Sequence, residues 1–178
     1  MSRTGYLLTT LGCIRFELEV ARAPESCRAF VRSVECQEFD GGEFNRVVHA
    51  DNDNSAPPIE IVQAFVRSGT SESRIPHEST VRTGLRHGVG TLSLPRRDGS
   101  SATGSGIFVS LRVDRELDHG GGRNSDGRGF AVFGRVREGL EIVRAIHSLP
   151  CKPVGHNAYV AGQMLEDPVK ILSARLDP

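Results

Sequence analysis

Between Tyr6 and Ala174 the chain holds about eight short runs of strand-forming residues, separated by turns and by Gly- or Pro-rich loops. Only two stretches with helical spacing interrupt them. Short strands repeated in this way point to a mainly β fold in which one antiparallel sheet closes on itself as a barrel, capped by the two helices. The clearest alternation is Ile14, Phe16, Leu18 and Val20 on one face, with Arg15, Glu17 and Glu19 on the other. Leu11-Gly12 breaks it, which gives a hairpin from Tyr6 to Val20. Further strands are read at 44–48, 59–66, 90–94, 107–111, 130–134 and 169–174. Pro24 suits a first helical turn, and Cys27, Phe30, Val31 and Val34 follow as one buried stripe, so Cys27 is read as a core residue. Leu140, Val143 and Ile146 mark the second helix, ending near Pro150.

A length of 178 residues suits one domain, 1–178, with a sizeable core. Lys plus Arg and Asp plus Glu both number 22, so no net field draws in nucleic acid or an anionic membrane. No apolar run is long enough to span a bilayer, and the N-terminus carries no signal-peptide core. Cys13, Cys27, Cys36 and Cys151 lie far apart with no Cys-x-x-Cys pair, which argues against zinc or dithiol chemistry. Reduced thiols in a cytoplasmic protein are therefore expected. Asp51 and Asp53 lack the Gly and closing Glu of a calcium loop, so no metal is expected. The Gly/Ser-rich loop 96–106 has neither the Lys-Ser/Thr of a phosphate cradle nor a nucleophile elbow at Ser105, since position 103 is Thr. His119 beside Asp118 has no third ligand or nucleophile at a suggestive spacing and reads as a surface histidine.

One run stands apart. In Phe44-Asn45-Arg46-Val47-Val48 an arginine interrupts core-seeking residues, and on a strand it can face away from them with its donors in a planar fork. With this run the chain resembles the cyclophilins, a barrel family of peptidyl-prolyl cis-trans isomerases. Several blocks carry the likeness in order: 44–48, Val62-Gln63, 90–94, 101–108, Glu116-Leu117-Asp118, and Phe130 to Val136. Ala23-Pro24 and Gly139 to Val143 also fit. The resemblance implies an isomerase of X-Pro bonds in peptides and unfolded proteins, working without a cofactor. Arg46 would be its catalytic residue, and Gln63 would hold the peptide and orient the arginine. Ile61 stands in place of a family methionine. With Phe108 and Leu117 it would floor the proline pocket, and Phe130 falls where the family often has His or Tyr.

The departures lie in the groove. Glu60, Gly106 and Glu116 replace a phenylalanine, a glutamine and a tryptophan of the family, and Pro95-Arg96-Arg97 replaces its backbone-binding run. Reduced or altered activity is the expectation. A peptide-holding chaperone module without catalysis is the alternative, and Glu116 argues against binding of cyclosporin-type cyclic peptides. Residues 49–58, 119–129 and 150–167 read as insertions of unassigned role.

Overall fold

Thr9 turns the first hairpin: its hydroxyl accepts from the backbone N–H of Leu11 and Gly12 and donates to the Gly12 carbonyl. β1 (Arg3–Thr9) and β2 (Gly12–Leu18) are thereby held in register from Arg3 opposite Leu18 to Thr9 opposite Gly12. The structure is a computed structural model that describes residues 3–67, 74–96, 99 and 101–178. Six more strands complete the sheet: β3 (Glu43–Val48), β4 (Ile61–Phe65), β6 (Thr91–Leu94), β8 (Gly106–Ser110), β9 (Ala131–Glu138) and β10 (Met164–Leu176). They close in the order β1-β10-β3-β4-β8-β6-β9-β2, every pairing antiparallel, so no strand of the barrel keeps an open edge. β5 (Arg74–Ile75) and β7 (Ala102–Thr103) form a separate two-stranded ribbon. The helices are α1 (Pro24–Glu35), the single turn α2 (Thr80–Thr83) and α3 (Leu140–His147).

The interior is filled from every strand: Leu7, Ile14, Phe16, Leu18, Phe44, Val47, Val62, Leu92, Ile107, Val109, Phe133 and Ile171 belong to one buried cluster. α1 and α3 close it, with Phe30 packing edge-on against Phe16 at 5.2 Å between ring centroids. Cys27 lies in this core. Burial pushes its thiol up to about 12, with the nearby Glu78 acting in the same direction.

Two local expectations are corrected. The buried stripe of α1 is Ser26, Cys27, Phe30, Ser33 and Val34, with Val31 only half-buried. Ser26 belongs to the stripe because Glu78, itself buried, meets it at the helix N-terminus. The Glu78 carboxylate accepts from the backbone N–H of Ser26 at 2.8 Å and from its hydroxyl at 2.7 Å. A carboxylate there meets free N–H groups and the positive end of the helix dipole, which Ala23 at the N-cap cannot serve. The closing strand, expected at 169–174, runs from Met164 to Leu176 with a register shift between Met164 and Val169. That irregularity carries Glu166-Asp167-Pro168, a polar stretch that hides the strand from a hydrophobicity pattern.

Candidate active site

Phe44 and Arg46 are two residues apart and would share one face of a regular strand. They do not, because Asn45 is the extra residue of a bulge. Phe44 pairs with Ala64, and Arg46 with the very next residue, Gln63. Phe44 and Val47 therefore both enter the barrel, whereas Arg46 and Val48 face outward. The neighbouring strands follow this alternation. Ile61 lies opposite Val48, Gln63 opposite Arg46 and Phe108, and Phe108 opposite Ser93. Val48, Ile59, Ile61, Phe108 and Leu117 form a second buried apolar cluster on this outer face, with Phe130 packed against it. Phe108 and Phe130 meet edge to face at 5.3 Å. The outer face thus carries an apolar floor beside one arginine.

The arginine is not on the open face that its strand position alone suggests: it is 8 % exposed. Its Nη1 donates to Gln63 Oε1 at 2.9 Å. Its Nε and Nη2 both donate to Gln163 Oε1, at 3.0 and 2.7 Å. The ring of Tyr159 lies over the guanidinium, 4.9 Å from its central carbon to the ring centroid, within cation–π range. Burial pushes the Tyr159 phenol up, but the positive charges of Arg46 and Arg123, with hydrogen bonds from both, outweigh it and hold the group below its ordinary value. Neither Gln163 nor Tyr159 emerges from the sequence, since both lie in the stretch that reads as an insertion.

All three unassigned loops meet here. Asn52 holds the last one: its amide donates to the Gly162 carbonyl at 3.0 Å, and its own carbonyl accepts from Gln163 Nε2 at 2.9 Å. The Asn54 amide donates to the carbonyls of Tyr159 and Ala161. Asp53 and Arg123 join the loops at 49–58 and 119–129 through a two-pronged ion pair, 2.7 and 2.9 Å, with side chains 1 % and 2 % exposed. The groove departures serve these loops too. Glu116 Oε2 accepts from the Gly122 N–H at 2.8 Å. Arg96 donates to the Gly129 carbonyl and forks onto Asp126, whose carboxyl is held far below its usual range by that bond. Gly106 is imposed by its neighbour, as a Cβ there would stand 2.1 Å from the Ala64 carbonyl oxygen. Arg97 lies outside the described residues.

Behind the apolar floor sits a polar set that sequence reasoning missed. The partner of Asp118 is His87 rather than His119. Asp118 Oδ1 accepts from the His87 backbone N–H at 3.0 Å and from its Nδ1 at 2.8 Å. His87 Nε2 faces the Ser93 hydroxyl at 3.1 Å, and the imidazole is parallel to the Phe108 ring. The Ser-His-Asp order resembles that of a hydrolase, but Ser93 has no exposed surface. A nucleophile must meet its substrate, so the set is a support for Phe108. Burial pushes the Asp118 carboxyl up, yet the hydrogen bonds and charge from His87 and the charge of Arg86 bring it below its ordinary value. A carboxylate with a depressed native pKa stabilises the fold above the ordinary carboxylate range, and that contribution is lost as pH falls through the native value. Asp118→Asn should therefore cost about 2 kcal/mol at neutral pH. The difference from the parent chain should shrink as urea unfolding is repeated at lower pH. A difference that stays constant with pH would remove the ionised carboxylate from the explanation.

Comparison with known proteins agrees with the fold. Residues 6–176 match the family model described as cyclophilin type peptidyl-prolyl cis-trans isomerase/CLD. Peptidyl-prolyl cis-trans isomerase A of Dickeya dadantii is 29 % identical over 177 residues, covering 97 % of this chain and 84 % of that protein. A peptidyl-prolyl cis-trans isomerase of Acinetobacter baylyi is 27 % identical, with 94 % and 82 % covered. Among solved structures, a cyclophilin type peptidyl-prolyl cis-trans isomerase of Cryptosporidium parvum superposes with a TM-score of 0.75 at 16 % identity, covering 100 % of this chain and 99 % of that one. The same parasite protein crystallised in the presence of the dipeptide Ala-Pro also gives 0.75, at 17 % identity. With an eight-stranded barrel closed in this order and a family match running through nearly the whole of it, the chain belongs to the cyclophilin-type peptidyl-prolyl cis-trans isomerases.

Proposed function

We propose that this protein speeds the cis–trans exchange of X-Pro bonds in peptides and unfolded proteins at the outer-face site. Arg46 acts as the catalytic residue, Gln63 as a peptide and arginine holder, and Ile61, Phe108, Leu117 and Phe130 as the seat of the proline ring. The observation that carries the proposal is a guanidinium held by two glutamines at the edge of an apolar cluster large enough to offer two aromatic rings. The X-Pro amide turns over a barrier of about 18–20 kcal/mol because its C–N bond has partial double-bond character. Unaided exchange takes tens to hundreds of seconds. As the bond twists, that conjugation is lost and electron density returns to the nitrogen as a lone pair. A fixed N–H donor stabilises the twisted form more than either planar form, and only such differential stabilisation raises the rate. No covalent bond is made or broken, so the chemistry calls for no nucleophile and no electron or group carrier.

A second reading, a peptide-holding module without catalysis, has one specific support: Tyr159 lies over the guanidinium that substrate would have to meet. The two readings separate in one experiment. Exchange of a short Ala-Pro peptide is followed by NMR with catalytic amounts of the protein, while the ring signals of Phe108 and Phe130 are followed as the peptide is added. Faster exchange together with shifts at both rings is the expected result. Ring shifts without acceleration would favour the holding module, and acceleration with unmoved rings would put the proline elsewhere.

A further inference from the structure

Resting on that reading of Arg46, we propose that Gln163 is the positioning residue for its guanidinium, and that a neutral amide is required there. Gln63, the neighbour across the strand pair, takes a single N–H of Arg46, on Nη1. Gln163 takes two, on Nε and Nη2, with one oxygen. Two bonds from one edge of a planar fork set its rotation about the side chain, which one bond cannot do. Of the five N–H groups of an arginine, these three bonds leave one on each Nη nitrogen.

Gln163 is itself fixed at every polar point. Its side chain has no exposed surface. Its Nε2 donates to the Asn52 carbonyl at 2.9 Å, its backbone carbonyl accepts from the Val47 N–H at 2.9 Å, and its backbone N–H donates to Val160 at 3.1 Å. Asn52 is held in turn by its bond to the Gly162 carbonyl and by the His49 N–H on its own oxygen. The irregular start of β10, with Met164 opposite Arg46, is what delivers Gln163 to this place. The loops at 49–58 and 150–163 therefore form the frame in which Arg46 is aimed.

The neutrality of the side chain matters as much as its place. A carboxylate at the same point would accept the same two N–H groups but would pair with the charge that the twisted amide needs. It would also turn an acceptor toward the Asn52 carbonyl, where Gln163 now presents a donor. An amide aims the guanidinium and leaves its positive charge available.

The test uses Gln163→Met and Gln163→Glu, with Arg46→Ala as reference, all in the full chain with folding checked by thermal melting. Kinetics on a proline peptide are read together with the NMR signal of the Arg46 Nε–H. Gln163→Met should lower kcat roughly ten- to a hundredfold with KM nearly unchanged, and should shift or broaden the Nε–H signal. Gln163→Glu should keep that signal sharp and still lose kcat, since the fork stays aimed but its charge is paired. A merely structural role would lower the melting temperature and leave the balance between kcat and KM of the folded variant unchanged, even where loss of the bond shifts the Nε–H signal. Parent kcat in either folded variant, with Arg46→Ala inactive, overturns the inference. Parent kcat in Arg46→Ala overturns instead the reading of the site on which it rests.

Discussion

Arg46→Ala is expected to lower kcat/KM on an X-Pro peptide by roughly a hundred- to a thousandfold, the loss usual when one preorganised donor to a transition state is removed. The apolar floor does not depend on Arg46, since Val48, Ile61, Phe108 and Leu117 pack among themselves. Peptide affinity should therefore fall much less than the rate. Arg46→Lys separates charge from geometry. Lysine retains the positive charge as a compact ammonium, but it cannot meet Gln163 and Gln63 with three coplanar N–H groups. Its rate should lie between those of the parent and the alanine variant, close to the latter. The measurement is exchange spectroscopy across a range of peptide concentrations, so that rate and binding are resolved. An alanine variant that exchanges the peptide as fast as the parent would remove Arg46 from the mechanism.

The largest effect on stability is expected away from the barrel interior, at Asp53. Its carboxylate accepts both prongs of Arg123 and also the backbone N–H groups of Ser55 and Ile59. Arg123 donates further to the Pro57 carbonyl at 2.9 Å. Asp53→Ala leaves a guanidinium buried without its counter-charge, which costs about 3–5 kcal/mol. Arg123→Met in the same chain removes the stranded charge and should recover part of the loss, the N–H groups of Ser55 and Ile59 still lacking their acceptor. Urea unfolding of the parent, the two single variants and the double variant reads this directly. Additive losses in the double variant would show that the pair is not coupled. The same variants should loosen Tyr159, which hangs on the Asn54 amide one residue along the loop.

Much of this architecture is legible in the sequence. The alternation Ile14, Phe16, Leu18 marks which side of β2 faces the core, and all three are 1 % exposed. Leu140, Val143 and Ile146 mark α3, of which Val143 and Ile146 are buried. The ordered blocks from Phe44 to Val136 identify the family, and within them Arg46, Gln63, Ile61, Phe108, Leu117 and Phe130 come together on one face. The strand and helix faces are readable because the backbone imposes a period, two on a strand and near three and a half on a helix. A side chain that must avoid water repeats with that period wherever it occurs. The site residues are readable only through the resemblance of their blocks to the family's motifs.

What the tertiary structure alone decides has no period. The bulge at Asn45 turns Arg46 away from Phe44, although strict alternation would put them together. Glu78 caps α1 from 52 residues beyond Ser26, Asp53 finds Arg123 across 70, and Arg46 finds Gln163 across 117. Any glutamine in the chain has the same donors and acceptors as Gln163, and any carboxylate the same acceptors as Glu78 or Asp53. Which one becomes a partner depends on which loops the closing barrel brings to the same end of the sheet. Once buried there, each polar group must find a bond or pay its desolvation in full. Local hydrophobic pattern therefore points to the barrel, resemblance of the ordered motifs singles out its arginine, and closure of the chain over long separations determines how that arginine is held.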